Sequence, residues 1–199
     1  MSRVPKINKT YAKTTLYEID DIMNSLGLEY FLVQGTCLGA YRDGDFIESD
    51  CDIDLGIKHE VIVPNIDKIV EVLERNEYKI KVESEPYGYD RFLHASRCGR
   101  TRVDIVDFAL NNDDRFCANG RRNYCIVHKK SMFDNLSDID FMGRKFKIPS
   151  DVEGYLRAEY GDTWNVPDPT MTTSKTRIYG YWKKNRIEER WSNTSLMCI

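Results

Sequence analysis

The chain has 199 residues, 31% of them charged and 41% hydrophobic, with a formal net charge of −3. That length suits one domain with a full core, and the composition is that of an ordinary globular protein rather than a disordered or fibrous one. The mild acidity argues against a broadly basic nucleic-acid binder, and no apolar run nears the roughly 18 residues of a membrane span.

In chain order, residues 10–26 read as a helix, with Leu16, Ile19, Ile22, Met23 and Leu26 at helical spacing and Gly27 as the stop. Residues 29–33 (EYFLV) form a short apolar strand, followed by Gly35 and a helical turn over 36–42. The polar turn Arg42-Asp43-Gly44-Asp45 comes next. Residues 50–57 alternate at the period of a strand: Cys51, Ile53, Leu55 and Ile57 face one way, Asp50, Asp52 and Asp54 the other. Pro64 opens a helix with an Ile66, Ile69, Val70, Leu73 stripe. Strands follow at 78–82, 91–96, 101–110 and 146–148, and Asp151 caps a helix that ends at Gly161.

The segment 171–199 carries Lys175, Arg177, Lys183, Lys184, Arg186 and Arg190 against Glu188 and Glu189, and reads as a basic extension with a helix over 181–191. The expected architecture is one mixed α+β domain over 1–199, a mixed central sheet flanked by helices with a helical C-terminal extension. The polar N-terminus shows no targeting segment, and the six cysteines are scattered without paired spacing, so a cytoplasmic setting with reduced thiols is expected. Cys117, Cys125 and His128 match no strong zinc spacing.

Three aspartates in one strand call for an explanation, because aspartate is a poor strand former and like charges repel. Asp52 and Asp54 lie on one face, roughly 7 Å apart at the backbone and able to converge. A divalent cation resolves the repulsion, and Mg²⁺ (or Mn²⁺) is commonly held by one or two carboxylates plus substrate phosphates. Asp104, in the apolar setting Val103-Asp104-Ile105, is the best third carboxylate; Asp107 falls on the opposite face of its strand. Upstream, Gly35-Thr36 precedes a helical turn, where backbone amides can meet an anion, and Arg42 adds a fixed cation. His94 and His128 are weaker candidates, each better explained as a satisfied structural histidine. Arg97, Arg100 and Arg102 flank the third strand, and Tyr160, Trp164 and Pro167 serve equally as nucleotide-pocket wall or as core.

The run Gly35-Thr36-Cys37-Leu38-Gly39-Ala40-Tyr41-Arg42, then Phe46-Ile47, then Asp50-Cys51-Asp52-Ile53-Asp54, resembles the LicD/fukutin family, which reads GTLLGxxR and then IPWDxDxD. Glu48-Ser49 stands where that family has Pro-Trp, and Cys37 where it has leucine. Arg102-Val103-Asp104-Ile105 and the stretch from Phe146 through Tyr160-Gly161-Asp162-Thr163-Trp164 to Pro167 match its later motifs, so the resemblance covers about residues 12–168. It implies a nucleotidyltransferase-like fold and transfer of a phospho-alcohol, phosphocholine or ribitol phosphate, from a CDP-alcohol donor to a glycan hydroxyl, with CMP leaving. By the same resemblance, Asp52, Asp54 and Asp104 would hold Mg²⁺, Asp104 being a third ligand or the general base. Gly35, Thr36, Gly39 and Arg42 would bind the donor phosphates, and Asp50 would support the loop.

Overall fold

The computed structural model describes residues 6–84, 91–118, 124–167, 178–183 and 186–192. Helix α1 (Lys9–Ser25) is capped by Asn8, whose side chain accepts from the Tyr11 amide, and Gly27 ends the turn at φ 66°. Its buried face carries Ala12, Leu16, Ile19, Ile22 and Met23. Strand β1 (Phe31–Leu32) leads into α2 (Gln34–Leu38) and a π-helical turn at Gly39–Asp43. Then come β2 (Asp52–Lys58), α3 (His59–Ile62), a 3₁₀ turn holding Pro64, and α4 (Ile66–Arg75). Burying Ile69 and Leu73 of α4 completely stabilises its docking by about 1.5–3 kcal/mol each.

Strands β3 (Lys79–Ser84), β4 (Arg91–Ser96), β5 (Arg102–Asn111), β6 (Asp114–Ala118) and β7 (Tyr124–Lys129) follow. After α5 (Ser131–Asp134), β8 (Ser137–Phe141) and β9 (Arg144–Ile148) pair as a separate hairpin. Helix α6 (Val152–Tyr160) is capped as expected: Asp151 accepts from the Gly154 amide at 3.0 Å, and Gly161 at φ 85° closes it. Strands β10 (Ile178–Lys183) and β11 (Arg186–Ser192) complete the described chain.

β5 is the hub of a nine-stranded mixed sheet. It pairs in parallel with β2 (Asp54 opposite Asp104), antiparallel with β4 (His94 opposite Asp104), and, farther along, antiparallel with β6. The crossover from β2 to β5 passes through α3, α4, β3 and β4, the long connection a parallel pair requires. Fully buried Ile53, Leu55, Ile57, Val103 and Ile105 anchor the two parallel strands in the core. Thr15 of α1 accepts the Thr101 amide at 3.1 Å, fixing where β5 begins.

The tail corrects one expectation. Where a helix was expected over 181–191, β10 and β11 pair antiparallel, and β10 adds to the edge of β7 through Tyr179 opposite Ile126 and Gly180 opposite Cys125. The run IYGYWK is rich in aromatic and β-branched residues, which suit a pleated surface, and β7 offers an edge to pair with. The charges that suggested a solvated helix face do not distinguish a helix from a two-faced strand. Lys175, Arg177 and Lys184 lie outside the described residues.

Candidate active site

The register of β2 and β5 builds the site. Asp54 lies beside Asp104 and Asp52 beside Arg102, and on β4 the next neighbour of Asp104 is His94. Alternation along each strand puts Asp52, Asp54, Arg102 and Asp104 on one face. The carboxylate oxygens of Asp52, Asp54 and Asp104 come within 4.8 Å of one another. All three residues are buried, at 9%, 6% and 5% exposure. The sequence reading of Asp104 over Asp107 matches the geometry: Asp107 is on the other face, bonded to His59 Nδ1 at 2.7 Å.

Crowding of like charges in a desolvated wall shifts these acids. Burial, then Asp52, Asp50 and Asp104, hold the Asp54 carboxyl well above the usual range. Burial raises Asp104 as well, opposed by the His94 hydrogen bond and the Arg102 charge. Such a set of oxygen donors, too close to ionise together unaided, suits a hard divalent cation such as Mg²⁺. The same crowding is what a bound cation would relieve.

Asp50 sits closer to the centre than expected. It precedes β2 in the loop, accepts the Cys51 amide at 3.0 Å and hydrogen-bonds Asp52. Burial first, then the Asp52 charge, push its carboxyl up to about 7. Its oxygen fills the space where a side chain on Gly35 would start, since a Cβ there would lie 2.1 Å from Asp50 Oδ2. Gly35 is therefore required by Asp50, and its amide donates to the Asp54 carboxylate. Gln34 just before it sits at φ 45°, and its amide is held by the Tyr155 hydroxyl at 2.9 Å.

The other residues expected to meet the donor phosphates make contacts of their own within the fold. Thr36, 2% exposed, accepts the Asp54 amide at 2.9 Å, so its hydroxyl ties α2 to β2. Gly39 makes room for the Asp45 carbonyl, which a Cβ would meet at 2.5 Å. Arg42 does not hydrogen-bond the aspartates: it clasps Asp43 through Nε and Nη2 and donates from Nη1 to the Trp164 carbonyl at 3.2 Å. It lines a pocket of about 470 Å³ with Lys9, Glu48, Ser49 and Pro167, beside the segment that departs from Pro-Trp. Trp164 belongs to the buried core, 8% exposed, its ring 5.8 Å from that of Tyr41.

Two site residues carried only a weak signal in the sequence. His94 bonds Asp104 through Nδ1 at 2.8 Å, and its Nε2 is 3.7 Å from Glu83. Arg102 bonds both Asp52 and Asp104. Only the pairing of β4 and β2 to β5 reveals either. By contrast, Arg97 and Arg100 both pair with Glu18 of α1, a structural clamp. His128 pairs with Glu159 at 2.9 Å in the core, each side chain 1% exposed, and the Cys125 side chain lies outside the described residues.

Comparison with known proteins agrees with this fold. The solved structure of the antibiotic-resistance factor ANT(2'')-Ia superposes with a TM-score of 0.53 over 83% of this chain and 79% of that one, at 18% identity, a likeness of fold. The human protein named ribitol-5-phosphate transferase FKTN is 29% identical over 162 residues, and its mouse counterpart 27%. These alignments cover 80% of this chain and 34% of each relative, so the chain spans about a third of their length. Residues 27–151, more than half of the chain, match the model of the LicD/FKTN/FKRP nucleotidyltransferase domain. That match shows the family: the chain belongs to the LicD/FKTN/FKRP family.

Proposed function

We propose that this domain transfers a phospho-alcohol, of the ribitol-phosphate or phosphocholine type, from a CDP-alcohol to a hydroxyl of a glycan or glycoconjugate, releasing CMP. The observation that carries the reading is the buried cluster of Asp52, Asp54 and Asp104 on adjacent parallel strands. Family membership and the ribitol-5-phosphate transferase relatives support the choice of donor.

In this reading Asp52, Asp54 and Asp104 hold Mg²⁺ or Mn²⁺, which supplies charge neutralisation for the donor diphosphate and the departing CMP. Asp104 is placed either to hold the cation or to take the proton of the attacking hydroxyl. Its Oδ1 accepts from His94 Nδ1 at 2.8 Å and lies 3.1 Å from Arg102 Nε. His94 fixes that carboxylate from the side of β4. Thr36 and the Gly35 amide fix Asp54 from the side of α2. The chain's own contribution is thus a stiff wall of oxygen donors, preorganised before substrate arrives.

The test is incubation with a panel of CDP-alcohols and Mg²⁺, with and without candidate glycans, following CMP. Metal-dependent CMP release coupled to acceptor modification is the expected result. Pyrophosphate release from a nucleoside triphosphate, with no CMP from any CDP-alcohol, would replace this reading with nucleotidyl transfer.

A further inference from the structure

Arg102 stands inside the carboxylate grid. It is the neighbour of Asp52 across the parallel pair, and its guanidinium touches two of the three clustered acids. Nη2 bonds Asp52 Oδ2 and reaches Asp104 Oδ2 at 3.1 Å, while Nε lies 3.1 Å from Asp104 Oδ1. The exposures are unequal: the Arg102 side chain is 46% exposed, those of Asp52 and Asp104 12% and 6%. The acids are fixed in the wall, and the cation on them rides a flexible stem on the solvent side. Leaving uncovers no apolar surface but strips Asp52 and Asp104 of their counter-charge, a cost that an incoming cation would offset.

A divalent ion on Asp52 and Asp104 would compete for the same oxygens and repel the guanidinium at contact distance. We propose that Arg102 is an exchangeable counter-charge: it holds Asp52 and Asp104 until a divalent cation binds, then turns outward to grip a phosphate of the nucleoside diphosphate donor. This rests on the reading of Asp52, Asp54 and Asp104 as cation ligands. A planar fork of N–H donors matches a phosphate edge bidentately, which a lysine does not. Arg42 is less free to do this, because Asp43 and the Trp164 carbonyl occupy it and its side chain is only 10% exposed.

The experiment titrates the EDTA-stripped chain with Mg²⁺, by calorimetry and by thermal shift, and then with CDP at saturating Mg²⁺. It compares wild type with Arg102→Gln and Arg102→Lys. Losing the internal competitor should tighten Mg²⁺ about tenfold in Arg102→Gln, while CDP binding weakens about tenfold for want of the fork. Arg102→Lys, which keeps the charge and should fold normally, should lie between on both counts. A purely structural Arg102 would loosen Mg²⁺ on removal, the opposite sign. Equal or weaker Mg²⁺ binding by Arg102→Gln overturns the exchange, and unchanged CDP affinity overturns the hand-over. If wild type and both variants take up no Mg²⁺, the cation reading falls and this inference with it. Normal wild-type uptake with an unaltered variant removes only the role of Arg102.

Discussion

Replacing Asp50 with Asn should stabilise the metal-free protein, and only at neutral or alkaline pH. In the folded chain the Asp50 carboxyl is pushed from 3.8 up to about 7, by burial and then by the charge of Asp52. A raised carboxyl means the folded state holds its proton more tightly than the unfolded one, so stability falls as pH climbs from about 4 to about 7 and stays low above that. Three pH units at 1.36 kcal/mol each set an upper limit of about 4 kcal/mol. Part of this belongs to the Asp50–Asp52 pair rather than to one residue, so about 2 kcal/mol is the expected gain for the variant at pH 8. In a chain of this size that is a rise of roughly 4–8 °C in Tm. Asparagine keeps the acceptor oxygen for the Cys51 amide and fits the space over Gly35. Thermal and urea denaturation in EDTA at pH 4.5 and pH 8 would measure it. A variant destabilised at pH 8, or equally stabilised at both pH values, would refute the electrostatic origin.

Asp52→Asn and Asp54→Asn should each lower transfer by at least about a thousandfold while the far-ultraviolet dichroism is unchanged, since each removes a charged ligand but keeps the shape; full metal-dependent turnover in both would exclude them as cation ligands. Gly35→Ala should cost about 1–3 kcal/mol, because its Cβ meets the Asp50 carboxylate at 2.1 Å; the double variant Gly35→Ala/Asp50→Ala, measured by urea midpoint, should recover part of that loss. Glu159→Ala should cost about 1–3 kcal/mol, because it removes the carboxylate 2.9 Å from the His128 ring, both side chains being 1% exposed; a Tm within a degree of wild type would show that the contact does not contribute to stability.

Local chemistry made most of the fold legible. Asp151 and Gly161 bracket α6, Gly27 ends α1, and the residues 91–96 strand is where its pattern put it. The Asp52–Asp54 pair was legible too, because two carboxylates at strand spacing in an apolar run have few structural excuses. What escaped was long-range. Asp50 looked like a third member of the strand face, yet it lies before β2 and reaches the cluster from the loop, where Gly35 leaves room for it. The Trp164 carbonyl that α6 and the turn after it bring to Arg42 is likewise a contact that only the fold supplies. The β10–β11 pair was hidden because its pairing partner, β7, is some fifty residues earlier in the chain.

The register between β2 and β5 is what converts two ordinary amphipathic strands into a site. With Asp54 opposite Asp104, the polar faces of both strands coincide, and Ile53, Leu55, Val103 and Ile105 share the buried side. A slip of one residue would put Asp104 beside Ile53 or Leu55 and bury a charge against the core, at several kcal/mol. Two of the three anchors against slippage are themselves site residues. Thr36 holds the Asp54 amide, Thr15 holds the Thr101 amide, and Arg102 bridges Asp52 to Asp104. Fold specificity and cation chemistry therefore draw on the same few side chains. That is why a threonine belongs in this motif: Thr36→Val would leave the carboxylates in the sequence yet loosen the geometry that makes them a set.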